Sequence, residues 1–124
     1  MAKTYFPEIT QPIPFEGKHS KNPLAFKYYN KEQMVAGKSM AEHLRFSVAY
    51  WHTMMADGTD MFGGSSYDRL WRTAADPMDR ARETMDAAFE FFTKLGVDYY
   101  CFHDRDIAPA GETFAASCRN LKSI

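Results

Sequence analysis

The sequence predicts an α/β fold built on a parallel β-α-β unit, and three observations support this prediction. In residues 44–51, apolar side chains recur at every second position, which is typical of a strand. Residues 76–96 carry helix start and stop signals around an apolar stripe. Residues 97–103 are rich in β-branched and aromatic side chains, as in a buried strand. A strand, a helix and a second strand in this order form a unit with a right-handed crossover.

Composition limits the possible classes of protein. The 124 residues are 45% hydrophobic, which is in the range of a single domain with a real core. The net charge of −1 argues against binding to nucleic acid or to an anionic membrane. No stretch resembles a membrane span or the apolar core of a signal peptide, so we expect a cytoplasmic protein. Cys101 and Cys118 lack the spacing of a disulfide scaffold or a zinc site, and we expect both to be reduced and buried.

Residues 1–43 are predicted to form an amino-terminal arm with short helices. Four of the six prolines lie in residues 1–30, which favours an extended chain. Lysines interleave with aromatic residues here, so stacking on single-stranded nucleic acid is an alternative to packing on the rest of the domain. Residues 31–36 read as a short helix that Gly37 ends, and a capping box of Ser39 and Glu42 then begins a second one.

Residues 44–124 are predicted to hold the β-α-β unit and a further helix. The first strand places Leu44, Phe46, Val48 and Tyr50 on one face. Residues 52–75 show no periodicity, and a connection of this length is typical of a functional or interface segment. Its apolar side chains should be covered by something, because exposing so much apolar surface is unfavourable. They are Met61, Phe62, Tyr67, Leu70 and Trp71.

The helix of residues 76–96 has the clearest signals in the chain. Asp76 is placed as the N-cap, Pro77 at the first helical position, and Gly96 just past the end. The predicted apolar stripe comprises Met78, Ala81, Met85, Ala88, Phe89, Phe92 and Leu95. A last helix is predicted within residues 112–124, with Phe114, Cys118 and Leu121 on one face. Two parallel strands leave unpaired edges, so we expect the chain to be the front portion of a longer protein.

Chemistry is predicted where the second strand ends. His103 followed by Asp106 resembles a histidine oriented by a carboxylate, which would leave one ring nitrogen for a substrate. Two other interpretations stay open. His103 can be a hydrogen-bonded structural residue beside a local ion network of residues 104–106. It can also share a metal site with Asp104 and Asp106, although the chain offers no clear further ligands.

Several motifs in a fixed order resemble the amino-terminal part of the xylose isomerase family, in the class with the longer arm. The resemblance runs from Phe15 to the last residue. The motifs are Phe15-Glu16-Gly17-Lys18, Asn22-Pro23-Leu24-Ala25-Phe26, His43-Leu44-Arg45-Phe46, Tyr50-Trp51-His52-Thr53, Gly58-Thr59-Asp60 and Cys101-Phe102-His103-Asp104.

This resemblance implies a fold and an activity. The fold would be the start of a (β/α)₈ TIM barrel, with residues 44–51 and 97–103 as its first two strands. The activity would be the interconversion of D-xylose and D-xylulose, with D-glucose as a further possible substrate, by ring opening and a metal-assisted hydride shift. His103 and Asp106 match the family's catalytic ring-opening pair. Trp51 matches a residue that lines the substrate pocket, and Phe62 one that enters the neighbouring subunit's site.

The resemblance also implies partners that this chain cannot supply. The family uses two divalent cations (Mg, Mn or Co), and their ligands lie on later strands, so we expect no metal ligand here and no isomerase activity from this chain alone. A homo-oligomer, a tetramer in the full-length form, is implied as well. Two alternatives remain: a fragment that binds sugar through Trp51 and Phe62, and a structural, swapped dimer held by uncovered sheet edges.

Overall fold

The computed structural model describes residues 3–124, which form a small β-α-β unit with an arm packed against it. The elements in chain order are β1 (Met34–Val35), β2 (Lys38–Ser39), α1 (Met40–His43), β3 (Ser47–Ala49), a π-helical turn (Trp51–Met55), α2 (Pro77–Leu95), β4 (Tyr99–Cys101), α3 (Asp104–Ile107) and α4 (Phe114–Lys122).

Strands β3 and β4 pair in parallel, with Ser47 opposite Tyr99 and Ala49 opposite Cys101. Helix α2 connects them, so the predicted β-α-β unit is confirmed. Both strands are shorter than the 44–51 and 97–103 predicted. Leu44 and Phe46 lie outside β3 and are 43% and 53% exposed, because no second sheet partner extends the ladder to them.

The prediction that the second strand is buried is wrong for this chain. All three residues of β4 are exposed, although α2 covers part of one face by stacking Phe92 on the Tyr100 ring at 5.1 Å. A parallel strand is buried when helices and neighbouring strands cover both faces, and the described residues contribute only two strands to this sheet. They form no closed barrel.

Helix α2 is confirmed with its caps. The Asp76 carboxylate accepts hydrogen bonds from the backbone amides of Met78 and Asp79, both at 2.9 Å. Gly96 ends the helix in the left-handed conformation (φ 74°), which glycine adopts without a Cβ penalty. The apolar stripe is only partly as predicted, because Phe89 is 47% exposed. The buried face consists of Thr84, Ala87, Ala88 and Phe92.

Trp71 joins three parts of the core. Its indole Nε1 donates to the carbonyl of Met54 at 2.9 Å, and its own carbonyl accepts from Thr84 Oγ1 at 3.2 Å. The rings of Tyr5 and Phe6 lie against the indole, with centroids 6.3 and 5.6 Å away. The core thus links the π-helical turn, α2 and the arm. It consists of Tyr5, Val48, Tyr50, Met54, Trp71, Ala87, Ala88 and Phe92.

The arm lies on its own domain, as predicted. The Glu90 carboxylate of α2 accepts from the backbone amides of Tyr5 (2.8 Å) and Phe6 (3.2 Å). Lys94 Nζ donates to Glu90 and to the carbonyl of Phe6, both at 2.6 Å. The amide of Ile13 donates to the Lys94 carbonyl at 2.8 Å. Charged groups of one helix thus hold the backbone of the arm at both its donors and its acceptors.

The predicted helix at residues 31–36 is wrong. These residues lead into a β1–β2 hairpin, in which Met34 pairs with Ser39 and Val35 with Lys38. Ala36 and Gly37 form its two-residue turn with φ values of 49° and 81°. A glycine with positive φ serves a helix end and a tight hairpin equally well, which explains the error. The Ser39–Glu42 capping box of α1 is present as predicted.

The long connection and the last helix differ in part from prediction. The π-helical turn occupies the start of the connection, where no helix was predicted. Trp71 is covered as predicted, whereas Met61, Phe62 and Leu70 are 88%, 90% and 70% exposed. Helix α4 is present, but Phe114 is 87% exposed. Both cysteines are free as predicted, but the prediction that they are buried is wrong, since Cys101 is exposed and Cys118 half-buried.

Candidate active site

His103 and Asp106 are brought together where β4 ends and α3 begins. His103 precedes the first residue of α3, and Asp106 lies one turn further along, so the helix places the two side chains on one side. Asp106 Oδ2 lies 3.0 Å from His103 Nδ1 and accepts the His103 backbone amide at 2.7 Å. The contact predicted from the spacing is therefore present, and the catalytic role stays a prediction.

The environments of the two side chains differ. The Asp106 side chain is 14% exposed, whereas that of His103 is 65% exposed. An ionised carboxylate only accepts hydrogen bonds, so Asp106 selects the imidazole tautomer with its proton on Nδ1. His103 Nε2 then carries a lone pair and faces away from its partner. This arrangement can accept a proton from a bound hydroxyl group and return it to another oxygen.

Trp51 lies beside this pair. It begins the π-helical turn directly after β3, and its ring centroid is 4.6 Å from that of His103. Parallel pairing of β3 and β4 puts both carboxyl ends at one edge of the sheet, which explains why Trp51 and His103 meet. The indole offers a half-buried apolar surface next to the imidazole. Carbohydrate rings carry apolar C–H faces that such a surface can pack against.

Tyr50 is a further neighbour of the pair that was not predicted from the sequence. Tyr50 is 2% exposed, and its hydroxyl has no hydrogen-bond partner in the part of the chain that the structure describes. Burial raises the pKa of this phenol far above its usual range, the charge of Arg72 opposes the shift, and that of Asp106 adds to it. Tyr50 is therefore a neutral group close to Asp106. Two-residue alternation marked Tyr50 as buried but did not reveal this neighbour.

Phe62 is not part of this cluster. It lies at the tip of a turn in which Asp60 Oδ1 accepts the backbone amides of Phe62 (2.8 Å) and Gly63 (3.1 Å). These bonds order the turn, while the Phe62 ring is 90% exposed. The structure thus presents the ring outward.

The residues of this site do not fit a cation site. Within residues 3–124, no three His, Cys, Asp or Glu side chains come close enough together to hold a metal ion. The His103–Asp106 pair supplies two side chains that could ligate a metal, and these are already hydrogen-bonded to each other. The proposed metal site of His103, Asp104 and Asp106 is therefore not formed by this chain.

A large cavity lies away from this cluster. It measures about 820 Å³ and lies between the arm and the amino ends of β3 and β4, where Ser47 and Tyr99 line it. His103 follows the opposite, carboxyl end of β4. Ligands of parallel α/β folds bind at the carboxyl ends of the strands, so the surface formed by His103, Asp106 and Trp51 is the candidate site.

Similarity to known proteins is high over nearly the whole chain. A xylose isomerase of Thermoanaerobacterium thermosaccharolyticum is 52% identical over 120 residues, and that of Halalkalibacterium halodurans is 54% identical over 121. The enzyme of Geobacillus kaustophilus is 55% identical over 120 residues. This chain belongs to the xylose isomerase family. The match covers 97% of the chain but only 27% of the length of the Thermoanaerobacterium enzyme.

The relatives that show the family are much longer than this chain. The chain corresponds to about a quarter of their length, at the amino-terminal end. No model of a protein family matches the chain. In the described residues, no helix is both long enough and apolar enough to cross a membrane. The xylose isomerase family is an isomerase family of xylose metabolism, and His103, Asp106 and Trp51 are the residues to test for that chemistry.

Proposed function

We propose that this chain forms part of the active site of an aldose–ketose isomerase that interconverts D-xylose and D-xylulose. The observation that carries the proposal is the hydrogen bond of 3.0 Å between His103 and Asp106 at the end of β4, in a chain of this family. The pair is oriented, accessible and beside an indole, as a site for a small polyhydroxylated substrate requires.

The first chemical step assigned to this chain is opening of the sugar ring. His103 Nε2 accepts the proton of the anomeric hydroxyl group, and the imidazolium then donates a proton to the ring oxygen as the C–O bond breaks. Asp106 acts as the positioning residue, because its carboxylate stabilises the imidazolium and holds the ring in place. Trp51 packs on the sugar and keeps water from one side of it.

The remaining parts of the proposed enzyme come from outside residues 1–124. The two divalent cations implied by the family supply Lewis acidity for the hydride shift, and residues of this chain are not their ligands. We propose a (β/α)₈ barrel for the complete protein, with β3 and β4 as its first two strands. We also propose a homotetramer in which the exposed Phe62 ring enters the site of a neighbouring subunit, because its turn is ordered but its ring is 90% exposed.

Substitution of the pair tests this function. In a full-length isomerase that carries these 124 residues, H103N should lower xylulose formation by about 10²–10⁴-fold, the usual contribution of a general acid–base. Asp106→Asn should lower kcat with little change in KM, because it affects orientation rather than sugar contact. H19N is the matched control, since His19 is an exposed residue of the arm. Full turnover in H103N would remove His103 from the mechanism.

A further inference from the structure

Three arginines line a small cavity next to Asp106. The cavity measures about 170 Å³ and lies between the π-helical turn, the start of α2 and α3. Its charged wall consists of Arg72, Arg80, Arg105 and Asp106. One water molecule occupies about 30 Å³ in liquid water, so the cavity is large enough for a small polyatomic ion.

The charges of this wall are not balanced. Three arginines and one aspartate line the cavity, so the lining residues carry a net charge of +2 when Asp106 is ionised. Asp106 is also bonded to His103, and no ion pair joins it to an arginine in the described part of the chain. Arg72 and Arg80 are half-buried, whereas Arg105 is exposed, and a half-buried charge is costly unless it is paired. The unbalanced wall therefore favours an anion.

The arginines also have unused hydrogen-bond donors. The only side-chain hydrogen bond of Arg72 within residues 3–124 goes to the thioether of Met55, at 2.7 Å, and thioethers are weak acceptors. The side chain of Arg105 forms none in the same residues. Arg80 is fixed by the carbonyls of Ala74 (2.9 Å) and Ala75 (3.2 Å). One guanidinium is thus held in place, and two present free forks.

We propose that this cavity binds a phosphate-type dianion. A net charge of +2 matches a doubly charged tetrahedral oxyanion better than a singly charged carboxylate, and guanidinium forks bind such oxygens in pairs. Asp106 would be the side chain shared between this site and His103. Anion binding in this cavity does not depend on isomerase activity.

The test follows individual arginines while phosphate is added. In the 15N-labelled protein at constant ionic strength, inorganic phosphate replaces chloride, and the side-chain Nε–H resonances are recorded. Arg72 and Arg105 should shift together and saturate. Arg82 is the internal control, because it lies outside the cavity and pairs with Asp79 at 3.0 Å. No saturation, or equal shifts in all arginines, would overturn the proposal.

Two variants and a second anion sharpen the test. Arg72→Gln should weaken phosphate binding by about tenfold, because it removes hydrogen bonds from a charged donor, whereas Arg82→Gln should change it less than twofold. Unchanged binding in R72Q would contradict the assignment, and if R72Q does not fold, the shifts in the unsubstituted protein decide. Acetate is titrated in the same way as a singly charged carboxylate for comparison. Acetate binding as tight as phosphate binding would refute a dianion site.

Discussion

Glu90 is predicted to be the side chain that holds the arm, and Glu90→Gln tests this directly. The carboxylate is 17% exposed and accepts from Lys94 and from the amides of Tyr5 and Phe6. Hydrogen bonds to a charged group contribute about 1.5–3 kcal/mol each, and glutamine keeps one of two acceptor oxygens, so we expect a loss of about 2 kcal/mol of unfolding free energy. Urea unfolding measures this loss when it is followed by tryptophan fluorescence, to which Trp71 contributes from its place against Tyr5 and Phe6 of the arm.

The dependence on pH separates this cause from a general packing defect. Burial acts to raise the pKa of Glu90, but hydrogen bonds from Lys94 and the two amides outweigh it and hold the pKa below the ordinary 4.5. A lowered pKa stabilises the folded state above pH 4.5, and this contribution is lost as pH falls through the lowered value. The difference between wild type and E90Q should therefore be full at pH 7 and nearly vanish in acid.

The control for this experiment is Glu32→Gln. Glu32 is exposed, and its Oε1 lies 4.0 Å from Lys31 Nζ, which is a long distance for an ion pair. An exposed pair of this kind contributes at most about 1 kcal/mol. E32Q should therefore unfold nearly as the wild type does. A loss below about 0.5 kcal/mol in E90Q at pH 7, where about 2 is expected, would refute the role of Glu90. An equal loss at both pH values would assign it to packing instead.

Three further predictions concern the hairpin, the core and the activity of the chain alone. Ala36→Gly should stabilise the protein by about 0.5–1 kcal/mol in urea unfolding, because Ala36 has a φ of 49°, and a loss of stability would contradict the turn. Met54→Ala should cost about 2–5 kcal/mol, because Met54 is fully buried, and a cost below 1 would contradict its place in the core. The purified chain with magnesium or manganese should form no xylulose, and turnover that survives repurification would refute this.

Local signals could be predicted from the sequence where they have a single structural meaning. Asp76 caps the start of α2 and Gly96 follows its end, as predicted. The three-residue spacing of His103 and Asp106 already placed their side chains within reach of each other. Gly37 led to a wrong prediction of a helix end, because a glycine with positive φ occurs both at helix ends and in hairpin turns. These outcomes depend on contacts within a few residues, so sequence spacing carries most of the information.

Long-range features could not be predicted in the same way. Burial of β4 depends on elements that cover its faces, and the exposed Tyr99 shows that these residues do not supply them. The charges of Arg72 and Asp106 act on Tyr50 only because β3, the connection and α3 converge. The place of Trp51 beside His103 was suggested by the family resemblance, and the 4.6 Å between their rings follows from parallel pairing of β3 and β4.

A double-mutant cycle on His103 and Asp106 tests the central proposal most directly. It is measured as kcat for xylulose formation in a full-length isomerase that carries these 124 residues. Asparagine at position 106 keeps an oxygen for the His103 amide, so the start of α3 is preserved. If the two residues act as one unit, H103N/D106N should be no slower than H103N alone. If the fold-losses in kcat of H103N and D106N multiply in the double variant, or if D106N keeps full turnover, the account is contradicted.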